Sequence, residues 1–189
     1  DGIRDYKVTG VQTCALPIYW ITASNGRGHG IHSPFVYHLV NEVLHCKEKA
    51  PVFAEIEKLR KVLLSDDQYI EVEDFGAGSV IGKKKDRKVK DIAAHSLKSP
   101  KYARLLFHLS RFLNAENIIE LGTSLGLTTA YLAASNPKAH VVTFEGSPVI
   151  ASIASNNFHR LNLPNIRLWE GRFDDCLTQY KSEVLSSHD

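Results

Sequence analysis

The chain has 189 residues, 43% of them hydrophobic and 23% charged, which is enough for one globular core and too few for two ordinary domains. Lys and Arg number 23 against 21 Asp and Glu, and a net charge of +2 gives no reason to expect nucleic acid or a membrane surface as a partner. No apolar run approaches the ~18 residues of a spanning helix, and the 3 scattered cysteines make no disulfide scaffold and fit a reducing, cytoplasmic compartment.

The chain contains no Met, at position 1 or elsewhere, as expected of a piece of a longer reading frame. Residues 8–18, VTGVQTCALPI, resemble the translation of a sequencing-library adapter. Residues 1–5, DGIRD, resemble the other end of the same oligonucleotide. Residues 1–18 are therefore expected to be an adapter-derived artefact and are set aside. The alternative is a genuine N-terminal strand, for which the β character is fair. Setting the segment aside leaves Cys46 and Cys176, both expected to be inert, and no signal peptide.

Asn25 to Pro34 is Gly-rich and reads as a loop. Ser33 followed by Pro34 predicts a helix start, a hydroxyl N-cap with proline at the first helical position. The helix extends to Cys46, with Phe35, Leu39, Val40, Val43 and Leu44 at helical spacing. A second helix is predicted over Val52–Leu64 through Phe53, Ile56, Leu59 and Leu63. Gln68–Asp74 alternates like a strand. Gly82–Lys90, GKKKDRKVK, reads as a solvated basic loop. A third helix spans Lys101–Phe112, with Leu105, Leu106, Leu109 and Phe112 on one side.

From there strands and helices alternate. Asn117–Leu121 and His140–Phe144 are strands ahead of helices Leu127–Ala134 and Pro148–Leu161, and Asn165–Trp169 is a third strand. The alternation implies a parallel sheet with right-handed crossovers. The predicted organisation is an N-terminal helical extension and strand-loop region over 19–112, then the N-terminal half of a Rossmann-like cofactor-binding domain over 113–189.

The chemistry concentrates between Glu120 and Asp174. The first parallel strand runs into Glu120, then Gly122, Thr123, Ser124, Leu125 and Gly126, then a helix. Gly122 permits a sharp turn, and Gly126 permits close approach of helix, strand and ligand. The free N–H groups at that helix start suit a carboxylate or phosphate. The next strand ends in Glu145, where an acid hydrogen-bonds a ribose diol in Rossmann-like sheets. The two features together imply a nucleoside-containing ligand at the carboxyl ends of the strands. A dinucleotide fingerprint has G-x-G-x-x-G, whereas here the spacing is G-x-x-x-G behind an acid.

That arrangement resembles motif I of the class I S-adenosylmethionine-dependent methyltransferases, E/D-x-G-x-x-x-G. GHGIHSPFVYHLV, DFGAGS, ELGTSLGLTTAYLA, TFEGSP and the Gly-x-Phe-Asp stretch, in this order over residues 26 to 177, look like a bacterial O-methyltransferase-like group. The resemblance implies a Rossmann-like three-layer αβα methyltransferase fold. This chain would hold about its first three core strands, an incomplete sheet with an N-terminal helical extension. It implies S-adenosyl-L-methionine as cofactor, held by Glu120, Gly122, Thr123, Ser124 and Gly126 of motif I, by Glu145, Gly146 and Ser147 after the second strand, and by Gly171, Phe173 and Asp174 near the adenine. It implies a small-molecule methyl acceptor, with no catalytic residue named and no metal site assigned.

Other features have plainer readings. Asp74-Phe-Gly-Ala-Gly78-Ser79 also looks like a cofactor loop, but the segment after it is basic rather than an amphipathic helix, so it ranks second to Glu120–Gly126. Its DFG lacks the HRD of a kinase catalytic loop. His29 and His32 lie on the Gly-rich loop with no carboxylate or cysteine at ligand spacing, so no zinc site is expected. Lys83, Lys84, Lys85, Arg87, Lys88 and Lys90 read as a solvated run rather than an RNA site, because nothing elsewhere extends it. An acid at the end of a buried strand, as at Glu120 and Glu145, needs hydrogen-bond donors from backbone or ligand.

In the family the sheet continues beyond a third strand, and the fourth would begin about where this sequence stops. Residues 19–189 alone are expected to leave the first parallel strand with an unpaired apolar edge, to be marginally stable or aggregation-prone, and to be inactive. In the intact protein the methyl carried by the sulfonium is already electrophilic, so the resemblance implies alignment of an acceptor in line with it. A general base takes part in some members and a magnesium ion in some O-methyltransferases; His29, His32 and Asp74 are minor candidates for such roles. Two rival classes remain: a nicotinamide-dependent oxidoreductase on a similar sheet, and a non-catalytic nucleoside-binding module.

Overall fold

The computed structural model describes residues 33–74 and 83–186. The expectations placed on residues 1–18, on His29 and His32, and on residues 75–82 lie outside the described residues. The chain divides into two compact units, Asp1–Cys46 and Lys47–Asp189.

In the first unit, helix α1 is Pro34–Leu39. Ser33 caps it as the sequence predicts, its hydroxyl accepting from the Val36 amide at 3.4 Å. Pro34 occupies the first helical turn, where a missing N–H is harmless. A π-helical turn, Val40–Leu44, comes directly after it, and the His45 amide closes it on the Val40 carbonyl. The helix expected to run unbroken to Cys46 therefore changes winding at Val40 and ends at Leu44.

In the second unit, α2 is Val52–Leu64, at its predicted bounds, with Phe53, Ile56, Leu59 and Leu63 buried. Strand β1 (Tyr69–Asp74) pairs antiparallel with β2 (Lys83–Lys88), from Tyr69 opposite Lys88 to Asp74 opposite Lys83. Here the solvated loop expected over the basic run is overturned: residues 83–88 are a strand and Val89 starts a helix. A two-stranded antiparallel ribbon keeps one face wet, so one strand can be almost wholly polar when the other supplies the apolar side. Ile70 and Val72 of β1 do so. The end of the ribbon is pinned by charge, with Asp67 held by Lys88 at 2.8 Å and Lys90 at 2.7 Å. These two ammonium groups hold the Asp67 carboxyl down at about 2.

Helix α3 (Val89–Ser96) packs Val89, Ile92 and Ala93 inward, and α4 (Pro100–Phe112) packs Ala103 and Phe107. The expected apolar side of α4, carrying Leu105, Leu106, Leu109 and Phe112, is only half-buried. The buried stripe instead follows Phe107, whose ring meets Phe53 edge-on at 4.8 Å.

The parallel sheet has the order β3-β4-β5, with β3 Asn117–Leu121, β4 His140–Glu145 and β5 Ile166–Glu170. Its crossovers are α5 (Leu127–Ser135) and α6 (Pro148–Arg160). Both crossovers step the same way across the sheet, so right-handed connections put both helices on one face. Helix α7 (Phe173–Ser186) covers the other face, with Cys176, Leu177 and Tyr180 against Val142 and Phe144. That gives the three-layer Rossmann-like arrangement expected from the sequence. One core joins α2, β1, α3 and α4 to α5 through Leu125, Leu127, Ala130 and Tyr131. Tyr131 donates to Glu57 at 2.7 Å, and Glu57 also holds Arg60. Among the described residues β3 has no strand on its outer side, and its Ile119 and Leu121 are more than half exposed. No described helix is long and apolar enough to cross a membrane.

Candidate functional site

The loop between β3 and α5 is built from the β4 backbone outward. Both the Gly122 and Thr123 amides donate to the Phe144 carbonyl, at 3.1 and 3.0 Å. The Gly126 amide then closes a tight turn on the Thr123 carbonyl. The turn requires positive φ at Gly122 (92°), Ser124 (49°) and Gly126 (82°). Glycine meets this demand without a Cβ clash, and Ser124 does not. From below, Asn157 of α6 donates to the Leu125 carbonyl at 2.9 Å.

Glu145 ends β4 beneath this loop. Its carboxylate accepts from the Ser124 amide at 2.8 Å and the Ser147 amide at 3.0 Å, one bond to each oxygen. Each oxygen keeps a lone pair for a ligand hydroxyl. The Gly171 amide, after β5, donates to the Glu145 carbonyl at 2.9 Å, bringing the third strand's loop to the same place. The result is a cavity of about 450 Å³ at the carboxyl ends of the strands. Ser124, Glu145, Gly146, Ser147, Gly171, Phe173 and Asp174, all named from the sequence, line it together.

The other four named positions are placed differently. Glu120, Gly122 and Thr123 face a neighbouring groove on the β3 side of the loop, with Ile119 and Leu121. Glu120 accepts from the Thr129 and Thr143 hydroxyls. Burial raises its carboxyl above the ordinary carboxylate range, and these two hydrogen bonds oppose the rise. Gly126 touches neither space: a Cβ there would lie 2.5 Å from the Phe158 ring, so it is the close-packing point of α5 against α6. Thr123 is buried and gives its hydroxyl hydrogen to Thr143, since Thr143 commits its own to Glu120.

The sequence reading missed the opposite wall of the cavity. Val72, Arg87, Ile92 and Ser96 line it from β1, β2 and α3, and Ile150 and Arg172 join from α6 and the loop after β5. Reading residues 82–90 as a free loop hid this wall, because it left β2 and α3 without a place. Burial of an uncapped hydroxyl marks one further feature. Ser147 precedes α6 but makes no side-chain cap, and its Oγ is buried with no hydrogen-bond partner among the described residues while lining the cavity. A buried orphan hydroxyl is costly unless something bonds it, so this atom fits a ligand with polar edges. The apolar Val72, Ile92 and Ile150 beside it fit an aromatic or aliphatic body.

No family model matches the chain. Its sequence is 33% identical over 93 residues to the catechol O-methyltransferase of Niastella koreensis, covering 48% of this chain and 42% of that protein. Its structure resembles that of the O-methyltransferase from Bacillus cereus in complex with SAH, with a TM-score of 0.50 and 26% identity, over 78% of this chain and 54% of that one. The chain thus spans about half the length of the relatives it matches. The chain carries a Rossmann-like αβα fold similar to that of this O-methyltransferase, in the part that the described residues cover.

Proposed function

We propose that the chain is part of an S-adenosylmethionine-dependent methyltransferase that O-methylates a small-molecule acceptor in the cytoplasm. Residues 113–189 form the cofactor half, with its nucleoside in the cavity above Glu145. The observation that carries this reading is Glu145 itself. It ends the second parallel strand, is oriented by two backbone amides, and presents its remaining lone pairs to a cavity that also holds the orphan Ser147 hydroxyl. A ribose diol satisfies the first, and a purine edge or a sugar oxygen the second. The names of the Niastella and Bacillus relatives support both the reaction class and SAH as ligand.

When bound, the cofactor supplies an electrophilic methyl group on a sulfonium. The chain's own residues do the holding. Glu145 accepts the ribose hydroxyls, Gly146 and Gly171 let the backbone approach the nucleoside, and Val72, Ile92, Ile150 and Phe173 exclude water around its rings. Alignment then supplies the rate, because an acceptor oxygen held in line with the methyl needs no further activation of that methyl. None of the described residues is assigned as general base.

Calorimetry with S-adenosylhomocysteine and with NADH tests the reading. Binding of the first and not the second is expected. Binding of NADH with no response to S-adenosylhomocysteine would overturn it in favour of an oxidoreductase.

A further inference from the structure

Ser96 is the last residue of α3, beside the loop that leaves β3. Its hydroxyl meets two oxygens, the Ile92 carbonyl at 2.7 Å and the Ser124 hydroxyl at 2.7 Å. A serine hydroxyl carries one hydrogen, and a carbonyl only accepts. The Ser96 hydrogen therefore goes to Ile92, and the bond between the serines runs from Ser124 to Ser96. With its hydrogen committed, the Ser124 oxygen has only lone pairs left for the cavity that both serines line. Ser124 also sits at a φ of 49°, a conformation uncommon outside glycine. It is gripped from two sides, its amide by Glu145 and its hydroxyl by Ser96.

We infer that Ser96 is a positioning residue of the ligand site: by accepting the Ser124 hydroxyl it makes Ser124 an obligate acceptor, which takes an N–H or O–H of the bound nucleoside compound. The donor is the amino group of the amino-acid part or a ribose hydroxyl. This role rests on the proposed cofactor, and it brings to the site a residue from the helix ahead of the parallel sheet.

The test measures binding of S-adenosylhomocysteine and of 5′-methylthioadenosine, which keeps the ribose and lacks the amino acid, to the full chain by calorimetry. Ser96→Ala is expected to weaken S-adenosylhomocysteine about threefold to tenfold, the size of one neutral hydrogen bond. Ser96→Thr, which keeps a hydroxyl, restores it. In a Ser124→Ala background Ser96→Ala changes nothing further. Equal weakening of both ligands assigns the donor to the ribose, and weakening of S-adenosylhomocysteine alone assigns it to the amino group. Unchanged affinity in Ser96→Ala, or an equal loss with and without Ser124→Ala, overturns the inference. Hydrogen exchange at the Ser124 amide gives a ligand-free readout. It should quicken about threefold or more in Ser96→Ala as the loop loosens. If the wild-type chain binds neither nucleoside, the cofactor reading fails and takes the ligand role with it. The loop-holding role of Ser96 is then decided by exchange alone, and an unchanged rate refutes it.

Discussion

Gly126→Ala tests the geometry of the cofactor loop most directly. Gly126 has a φ of 82°, and an added Cβ would lie 2.5 and 2.8 Å from two carbons of the Phe158 ring and 3.3 Å from the Ala154 Cβ. The variant bears two costs. Left-handed backbone costs a residue with a Cβ about 1–2 kcal/mol. Overpacking a filled interior costs about 1–3 kcal/mol more, and Phe158 is a poor candidate for yielding because it is itself buried. The total is about 2–5 kcal/mol. Gly122→Ala is the internal control. Its φ is 92°, yet its Cβ would meet nothing closer than the Phe173 ring at 4.0 Å, so only the backbone cost of about 1–2 kcal/mol applies. Urea denaturation of the two variants and the wild type reads both terms, provided the slope with denaturant stays constant. A Gly126→Ala loss no larger than that of Gly122→Ala would refute the close packing of α5 on α6, and with it the shape of the loop that frames the cavity.

The same contacts set three further outcomes. Glu145→Gln should weaken S-adenosylhomocysteine by about tenfold or more, because the new amide N–H₂ opposes a backbone N–H and one acceptor is lost; calorimetry within threefold of wild type would contradict it. Tyr131→Phe should cost about 1 kcal/mol in urea by removing the bond to Glu57, with Arg60 still pairing that carboxylate. The pH dependence of stability should contain two opposed contributions. Asp67 is lowered to about 2, so its contribution is present above its ordinary 3.8 and fades as pH falls toward about 2. Glu120 is raised by burial, so its contribution is full below its ordinary 4.5 and is lost as pH rises through the higher value. Melting curves across pH should therefore flatten on the acid side in Asp67→Asn and on the side above 4.5 in Glu120→Gln.

What the sequence revealed and what it hid divide along one physical line. Elements with a repeating burial pattern were legible. Helix α2 fell at its predicted bounds because Phe53, Ile56, Leu59 and Leu63 repeat at helical spacing against one core. The three parallel strands were found to within a residue, each a short apolar run framed by turn residues. Strand β2 was hidden because KKKDRK has no apolar alternation. Its pairing is visible only with its partner beside it, where the register sets Asp74 and Glu73 opposite Lys83 and Lys84. A reader of one strand sees only a polar run, and a reader of two sees a paired ribbon.

The site divides in the same way. Glu145, Gly146, Ser147, Gly171, Phe173 and Asp174 sit at or just past strand ends, and an open parallel sheet places ligands there whatever the rest of the chain does. Glu120, Gly122, Thr123 and Gly126 share the same sequence neighbourhood, yet they turn to the groove or into the packing, since a loop that reverses direction presents its residues to more than one side. Asn157 could have been singled out, because it interrupts the buried stripe of Ile150, Ala154 and Phe158 on α6, and a polar residue on such a stripe must find a partner. Ser96 could not. Its partner lies 28 positions away and its own surroundings are exposed, so no periodicity marks it. It acquires a role only when α3 is folded against the loop, and then the count of one hydrogen between two oxygens fixes which way every hydroxyl at that corner of the cavity points.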